Sequence, residues 1–294
     1  MERIKKFSRS GVPFVLPALL VIALVMLYPL LYTLGMGLFK KTLMKPIPLF
    51  VGFQQFTKLF NNRIFLSTIS NTLVWTVGSV TLQFAFGFAS ALLIHRHFIK
   101  GKTLLRILIM VPWVLPSVIG SSVWKWMYNA DYGIINYLMQ VLGWIPAART
   151  WLSSPDTAMG AVIAVNTWKM FPFVMLMVEA ALQSVSRELK EAAMIDGANP
   201  LHTFAAVTWP AIADTCYSII LLLVIWTLNA FTFVYNLTMG GPAHKTEVMA
   251  MFIHNKAFVE FDFGSASAAS TILFMMTMTI SVLYILLTRH AKEA

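Results

Sequence analysis

Few side chains in this sequence have the type and spacing that chemistry requires. Gly101-Lys102-Thr103 ends like a phosphate-binding loop, but Arg96 stands where that loop needs its first glycine, and no strand precedes it. His95, His97, His202, His244, His254 and His290 fall in no metal-ligating pattern such as H-E-x-x-H. No G-x-S-x-G elbow offers a serine nucleophile. The single cysteine, Cys216, lies in an apolar run, which excludes an intrachain disulfide and makes the thiol packing. Lys169, Glu179 and Asp214 remain, all inside or at the ends of apolar runs. An ion-coupled carrier holds ionisable residues deep in the membrane. Glu179 and Asp214 fall near the ends of their runs, so Lys169 has no acid at its own depth with which to form a relay. A stand-alone ion-coupled secondary carrier is the alternative reading of the chain.

The elements that carry these residues are membrane helices. Hydrophobic residues make up 58% of the chain and charged residues 12%, against about 25% charged in soluble domains. A span needs about 20 mostly apolar residues. Six runs qualify, about 13–38, 69–94, 104–126, 158–183, 211–236 and 266–288. Lipid offers no hydrogen-bond partner, so each must be helical, and the fold class is all-α, a polytopic membrane protein with six transmembrane helices in one domain, 1–294. The first run is too long for a signal-peptide core and no small-residue cleavage site follows it, so it is expected to be retained. The net charge of +10 carries no basic stripe with interleaved aromatics, which excludes nucleic acid as a partner. Lysines and arginines flanking spans beside anionic membrane lipid explain it.

Pro112 and Pro116 in the third run are expected to bend or loosen it, and the carbonyls they free must face protein or a wet cavity. Gly87, Ser90 and Ala91 in the second supply small residues for close helix contact. Between the fourth and fifth runs lies a polar stretch, 184–210. Arg187 to Ile195 is built of strong helix formers, Asp196-Gly197 stops the helix, and Asn199-Pro200 reads as an N-cap opening a second short helix. The expectation is a helix–turn–helix in water between two spans.

This stretch resembles the EAA coupling loop of the membrane subunits of bacterial ABC importers, through Glu191-Ala192-Ala193, Asp196-Gly197-Ala198 and Pro210. The flanks look like the carbohydrate-uptake branch of that family, the maltose and glycerol-phosphate type. Carrying that likeness are Gly52-Phe53-Gln54-Gln55-Phe56 with Asn71-Thr72-Leu73, where Gln55 replaces the usual Asn. So do Asp131-Tyr132-Gly133-Ile134-Ile135-Asn136, Trp151-Leu152-Ser153-Ser154-Pro155 and Asn166-Thr167-Trp168 with Pro172-Phe173. Leu237-Thr238-Met239-Gly240-Gly241-Pro242 and Phe258 to Gly264 complete it.

The resemblance implies a permease subunit for a sugar or sugar-like solute, in the bacterial inner membrane with both termini cytoplasmic. The tally of lysines and arginines supports that orientation only narrowly, because Lys40, Lys41, Lys45, Lys58 and Arg63 fall outside. Implied partners are a second permease subunit, two ATPase subunits that bind ATP and Mg, and an extracytoplasmic solute-binding protein. No cofactor is expected in this chain. Glu191, Ala192, Ala193, Asp196, Gly197 and Ala198 would couple to the ATPase. Ser117, Ser121, Trp168, Phe173, Asn229 and Phe233 would be the substrate contacts, with the family's polar cluster reduced to Asn229 beside Thr227 and Ala230. Lys169 has two readings. It faces a cavity and favours an anionic or hydroxyl-rich solute, or it reaches along its helix toward water or a neighbouring subunit; the second is preferred.

Overall fold

A computed structural model describes residues 12–95 and 101–293. Arg3, Lys5, Lys6, Arg9, Arg96 and Lys100, which entered the orientation tally, lie outside the described residues, as does His97. Among the described residues five helices are long and apolar enough to cross a membrane, and a bent pair makes a sixth candidate span. The chain divides into two compact units, 1–63 with 253–275 and 64–252 with 276–294.

In the first unit, α1 (Val12–Ile22) and α2 (Tyr28–Met36) are joined by one π-helical turn, Ala23–Leu27. The turn has a cause in the sequence. Pro29 has no N–H and its ring crowds the carbonyl of the preceding turn. Widening the helix just before it, with Tyr28 N–H bonded to Ala23 O, lets the chain pass without a break. A two-residue hairpin follows, β1 (Phe39–Lys40) with β2 (Leu49–Phe50), its Phe39 and Phe50 rings edge to face at 5.3 Å. These strands are the minor departure from an all-α chain. Then comes α3 (Gln54–Phe60). Gln55 is buried there, its Nε2 donating to Phe39 O at 3.5 Å and its Oε1 lying 3.1 Å from the Ser265 hydroxyl. Asp262 caps the last span helix, α14 (Phe263–Glu293), by accepting from Ser265 N–H at 3.1 Å, and pairs with Lys58 at 3.1 Å. Burial pushes the Asp262 carboxyl up, but the Ser265 hydroxyl and N–H and the Lys58 ammonium outweigh it and hold the group below its ordinary value.

The second unit is built on α8 (Ala158–Gln183), with two-thirds of its apolar window, 67%, buried. One end packs Val174, Val178 and Leu182 against Ala91 of α4 (Arg63–His95) and against Ile212, Ile219 and Leu223 of α11 (Trp209–Leu228). The other end packs Val162 and Val165 with Trp75 of α4 and with Phe233, Val234 and Leu237 of α12 (Thr232–Thr238). Gly87 permits the α4–α8 contact, since a Cβ there would lie 2.4 Å from Val174 Cβ and 2.6 Å from Phe171 O. Asn71 and Thr72 at the start of α4 hold the 244–249 segment. Asn71 Nδ2 donates to His244 O at 2.7 Å, and Met249 N–H donates to Thr72 Oγ1 at 2.9 Å, leading into α13 (Met249–His254).

Two expected spans are corrected. The third is not one bent helix but two, α5 (Lys102–Val114) and α6 (Ser117–Met127), meeting at 95°. Pro116 cannot donate to Pro112 O, and Leu115, which precedes it, takes an extended ψ of 137°. The fifth, expected over 211–236, is helical from Pro200 to Leu228, breaks at 229–231 and resumes as α12. A short α7 (Ile134–Val141) lies between α6 and α8.

Two outcomes follow. Gly87→Val should lower the melting midpoint of the detergent-solubilised protein by the equivalent of about 1–3 kcal/mol, the range for overpacking. Gly78→Ala meets only the end of Ile163, at 3.0 Å, and should be tolerated. Asp262→Ala should cost about 1 kcal/mol at neutral pH through the lost cap. The Asp262 pKa is depressed in the fold, so its stabilisation exists above the unfolded carboxylate value and fades as pH falls through the folded one. Melting curves of wild type and variant should therefore converge below about pH 4.

Candidate functional site

The 184–203 segment folds from local signals. Ser186 Oγ accepts from Leu189 N–H at 3.3 Å and caps α9 (Arg187–Ile195). Glu188 in its first turn faces the helix dipole favourably, and Arg187 pairs with Glu191 at 2.6 Å one turn on. The helix ends in a Schellman turn, in which Gly197 has φ +82°, its N–H bonds Met194 O at 3.1 Å and Ala198 N–H bonds Ala193 O at 2.9 Å. Asn199 Oδ1 then accepts from His202 N–H at 2.8 Å, with Pro200 in the first turn of α10 (Pro200–Thr203).

The expected second short helix is not separate. α10 runs through a π-helical turn, Phe204–Thr208, into α11 without interruption. The turn again precedes an aromatic–proline pair, Trp209-Pro210, and Trp209 N–H reaches back to Phe204 O. Pro210 therefore lies inside the fifth span's helix and not at the end of a loop. No residue of α9 is buried. Ile195 is 86% exposed and Leu201 80%. A cleft of about 640 Å³ lies behind the segment, lined by Phe88, Leu92, Leu182, Met194, Leu201 and Phe204 among others. Of the six residues expected to couple, Ala193 and Ala198 are half-buried and the rest are exposed.

The middle of the unit is organised by Lys169. Its Nζ donates to Pro112 O at 3.0 Å, to Trp113 O at 2.8 Å and to Leu115 O. Neither reading of this residue from the sequence survives, because the ammonium is spent on its own chain. The reason lies in the break. The carbonyls of Pro112, Trp113 and Leu115 would have bonded N–H groups four residues on, and Pro116 together with the 95° turn removes those donors. An ammonium brings three donors, and a cation is favoured at a helix C-terminus. Sequence reasoning had placed the freed carbonyls but not their partner.

The six expected substrate residues separate. Ser117 and Phe173 are half-buried at the break and beside it, with Phe173 stacked on Trp113 at 5.9 Å and tilted at 58° against Trp226 at 5.0 Å. Trp168 lies edge to face with Trp124 at 5.6 Å and over Gly120. Asn229 is exposed at the fifth span's break, donating to Ile225 O at 2.8 Å. Ser121 and Phe233 are buried among other side chains. Ser121 is fully buried, its hydroxyl donating to Val118 O at 2.9 Å and accepting from Asn236 Nδ2 at 3.0 Å; Phe233 lies in the core around Trp75.

Sequence reasoning missed two buried polar pairings. Arg106, counted as a loop charge, reaches Glu179 with Nε at 3.0 and 2.9 Å and with its Nη2, and Glu179 is 3% exposed. Their separation by 73 residues gave no signal. Trp75 Nε1 donates to Thr227 O at 2.9 Å, a carbonyl next to the second break.

Membrane-length helices, two spans broken and bonded from within, and a capped segment standing proud at one end fit a polytopic membrane subunit with movable joints. Residues 83–292 match the model of the binding-protein-dependent transport system inner membrane component, and the chain belongs to that family of multi-pass inner membrane proteins. It is 29% identical to the trehalose/maltose transport system permease protein of Thermococcus litoralis, over 97% of this chain and 96% of that one. It is 30% identical to the sulfoquinovosyl glycerol transport system permease protein of Agrobacterium fabrum, over 93% and 88%. The fold is shared with a bacterial ABC transporter involved in the import of the acidic polysaccharide alginate, with a TM-score of 0.85, 21% identity and 99% of both chains covered. A second structure of a bacterial alginate ABC transporter, in complex with a pentasaccharide-bound periplasmic protein, gives 0.84 at 22% identity, over 98% and 97%. The class is an ABC importer permease and not a stand-alone ion-coupled carrier.

Lys169→Met should leave buried carbonyls unsatisfied and lower the melting midpoint by the equivalent of about 1–3 kcal/mol. Lys169→Arg should recover part of it. A solute-facing lysine would instead leave the midpoint unchanged.

Proposed function

We propose that this chain is one of two permease subunits of an ATP-driven importer for a sugar or sugar-like solute. Both termini and the 184–203 segment face the cytoplasm. An extracytoplasmic binding protein delivers the solute to the opposite face. Two ATPase subunits hold ATP and Mg, and this chain holds neither. The printed substrates of the relatives, trehalose/maltose and sulfoquinovosyl glycerol, support the solute class.

The observation that carries the reading is the build of the exposed segment. Glu191, Ala192, Ala193, Asp196, Gly197 and Ala198 lie on a stiff, doubly capped turn with apolar side chains bare to water. It leads by unbroken helix into α11. Such a surface fits a cleft in a partner, and a displacement there enters a membrane helix directly. ATP binding then shifts the population between two arrangements of the spans. Trp168, Phe173, Ser117 and Asn229 are the residues left open near the two breaks for solute contact.

Among the described residues, nothing beyond its two chain neighbours lies within 4 Å of a Cβ built on Gly197, so a side chain there meets no clash and costs only the local strain of a +82° φ on an exposed turn. Gly197→Trp should therefore leave the protein in the membrane at near wild-type level yet abolish solute uptake and solute-stimulated ATP hydrolysis. Gly197→Asn, which tolerates positive φ, should retain both. Wild-type uptake by the Trp variant would refute the coupling role.

A further inference from the structure

Beyond the end of α8 far from the 184–203 segment, 26 residues of helix away, or roughly 39 Å at 1.5 Å per residue, a cavity of about 510 Å³ opens between the end of α6, the 128–131 and 150–153 loops, and the end of α12 with Gly241 and Pro242. Its lining includes Trp151, Tyr128, Asn129, Lys125, Asp131 and Ser153. None of these belongs to the mid-membrane set above. We propose that this cavity is a second saccharide subsite, taking a neutral mono- or disaccharide before it reaches the residues around the breaks. The proposal rests on the sugar-importer reading and deepens it.

The wall is held by one buried amide. Asn136 is 3% exposed. Its Oδ1 accepts from Trp151 Nε1 at 2.8 Å and from Arg149 N–H at 3.1 Å, while its Nδ2 donates to Arg149 O at 3.0 Å and Asn129 O at 3.3 Å. Two loop segments, 129–136 and 149–153, joined by bonds that span 13 and 15 residues, are thereby fixed against each other. Tyr128 is fixed too, its hydroxyl donating to Ala161 O at 3.2 Å and its ring 6.3 Å from that of Trp151. Both aromatics spend their polar atoms inside the protein; Trp151, half-buried, is the ring that faces the cavity, and Tyr128, 7% exposed, backs it.

Sugars present C–H faces that lie on such rings and hydroxyl groups that need donors and acceptors in a rim. Asn129, Ser153 and Thr150 supply amide and hydroxyl groups. Lys125, with one N–H toward Asn236 O at 3.3 Å, and Asp131 supply one charge of each sign. A rim of balanced charge favours a neutral solute over an anion. The volume falls within the roughly 300–1,000 Å³ of small-molecule sites, and a wall fixed in advance loses little entropy on binding.

Saturation-transfer NMR on the full chain in lipid nanodiscs, with maltose, trehalose and glucuronate as probes, tests this. Ring C–H signals should appear for maltose or trehalose and be weaker for glucuronate. Ser153→Trp fills the mouth without removing an internal side-chain bond and should abolish them. Trp151→Ala should weaken binding by roughly tenfold. Val77→Ala, at a 64% exposed position of α4 that belongs to neither set of residues, should leave the signals in place. Absence of signal, preference for glucuronate, indifference to Ser153→Trp, or loss on Val77→Ala would each overturn the subsite. Uptake of the same sugars by cells carrying the native system separates the two levels. Uptake without nanodisc signal removes the subsite alone, and absence of uptake as well removes the importer reading beneath it.

Discussion

In hydrocarbon a peptide carbonyl without a donor has no water to turn to, and this structure is arranged around that constraint. The third span breaks inside the membrane, and three carbonyls at the break are taken up by Lys169. The fifth span breaks too, and there Thr227 O accepts from Ala230 N–H at 3.1 Å and, from another helix, from Trp75 Nε1 at 2.9 Å. Each break is thus covered by a side chain from another helix of the same unit. The coverage ties α8 to α5 at one joint and α4 to α11 at the other. A lysine in a span, read from the sequence as reaching toward water or a neighbouring subunit rather than solute, turns out to make a broken helix tolerable.

A buried pair serves the same end at the other extreme of α8. Glu179 would be costly alone in that position, and Arg106 offsets the cost by a bidentate contact from α5. Together with Lys169 this fixes α5 along α8 at two points. α6 is tied elsewhere, to α12 through Ser121 with Asn236 and through Lys125 with the Asn236 carbonyl. Both halves of the third span touch α8, α6 through Gly120 and Trp124 against Trp168, and the 95° break lets α6 reach α12 as well.

Much of this was legible in the sequence, and the reasons for the rest are physical. The 184–203 segment was readable because its determinants are local. Ser186, Gly197, Asn199 and Pro200 act within four residues of themselves. The apolar runs were readable because lipid allows only one answer to them. The break at 229–231 was not, since no proline or glycine marks it and its support comes from Trp75, 152 residues away. The continuity of α10 with α11 was misread for the opposite reason. Pro210 looks like a stop, but one π-helical turn absorbs it, as another absorbs Pro29. The aromatic–proline pairs Tyr28-Pro29 and Trp209-Pro210 were the available signal. Residues chosen as solute contacts by resemblance divided according to burial, which no single sequence displays.

Prolines also show why α8 is the strut and its neighbours the joints. Pro172 lies inside α8 and does not break it, whereas Pro116 ends α5. The difference lies in the surroundings. Around Pro172 the helix is packed on several sides, with Val174, Met175 and Val178 wholly buried, so a kink would open cavities costing about 24 cal/mol per Å³. Around Pro116, Val114 is 71% exposed and Val118 58%, and a turn there opens little. A displacement entering at 184–203 on the proposed reading thus meets two kinds of element. α8 can answer only as a whole body. α11 can give at its π-helical turn and at 229–231, and the third span at 115–117. Asn229 sits at the second break and Trp168 against α6 beyond the first, so a shift of either joint would move a side chain proposed for solute contact.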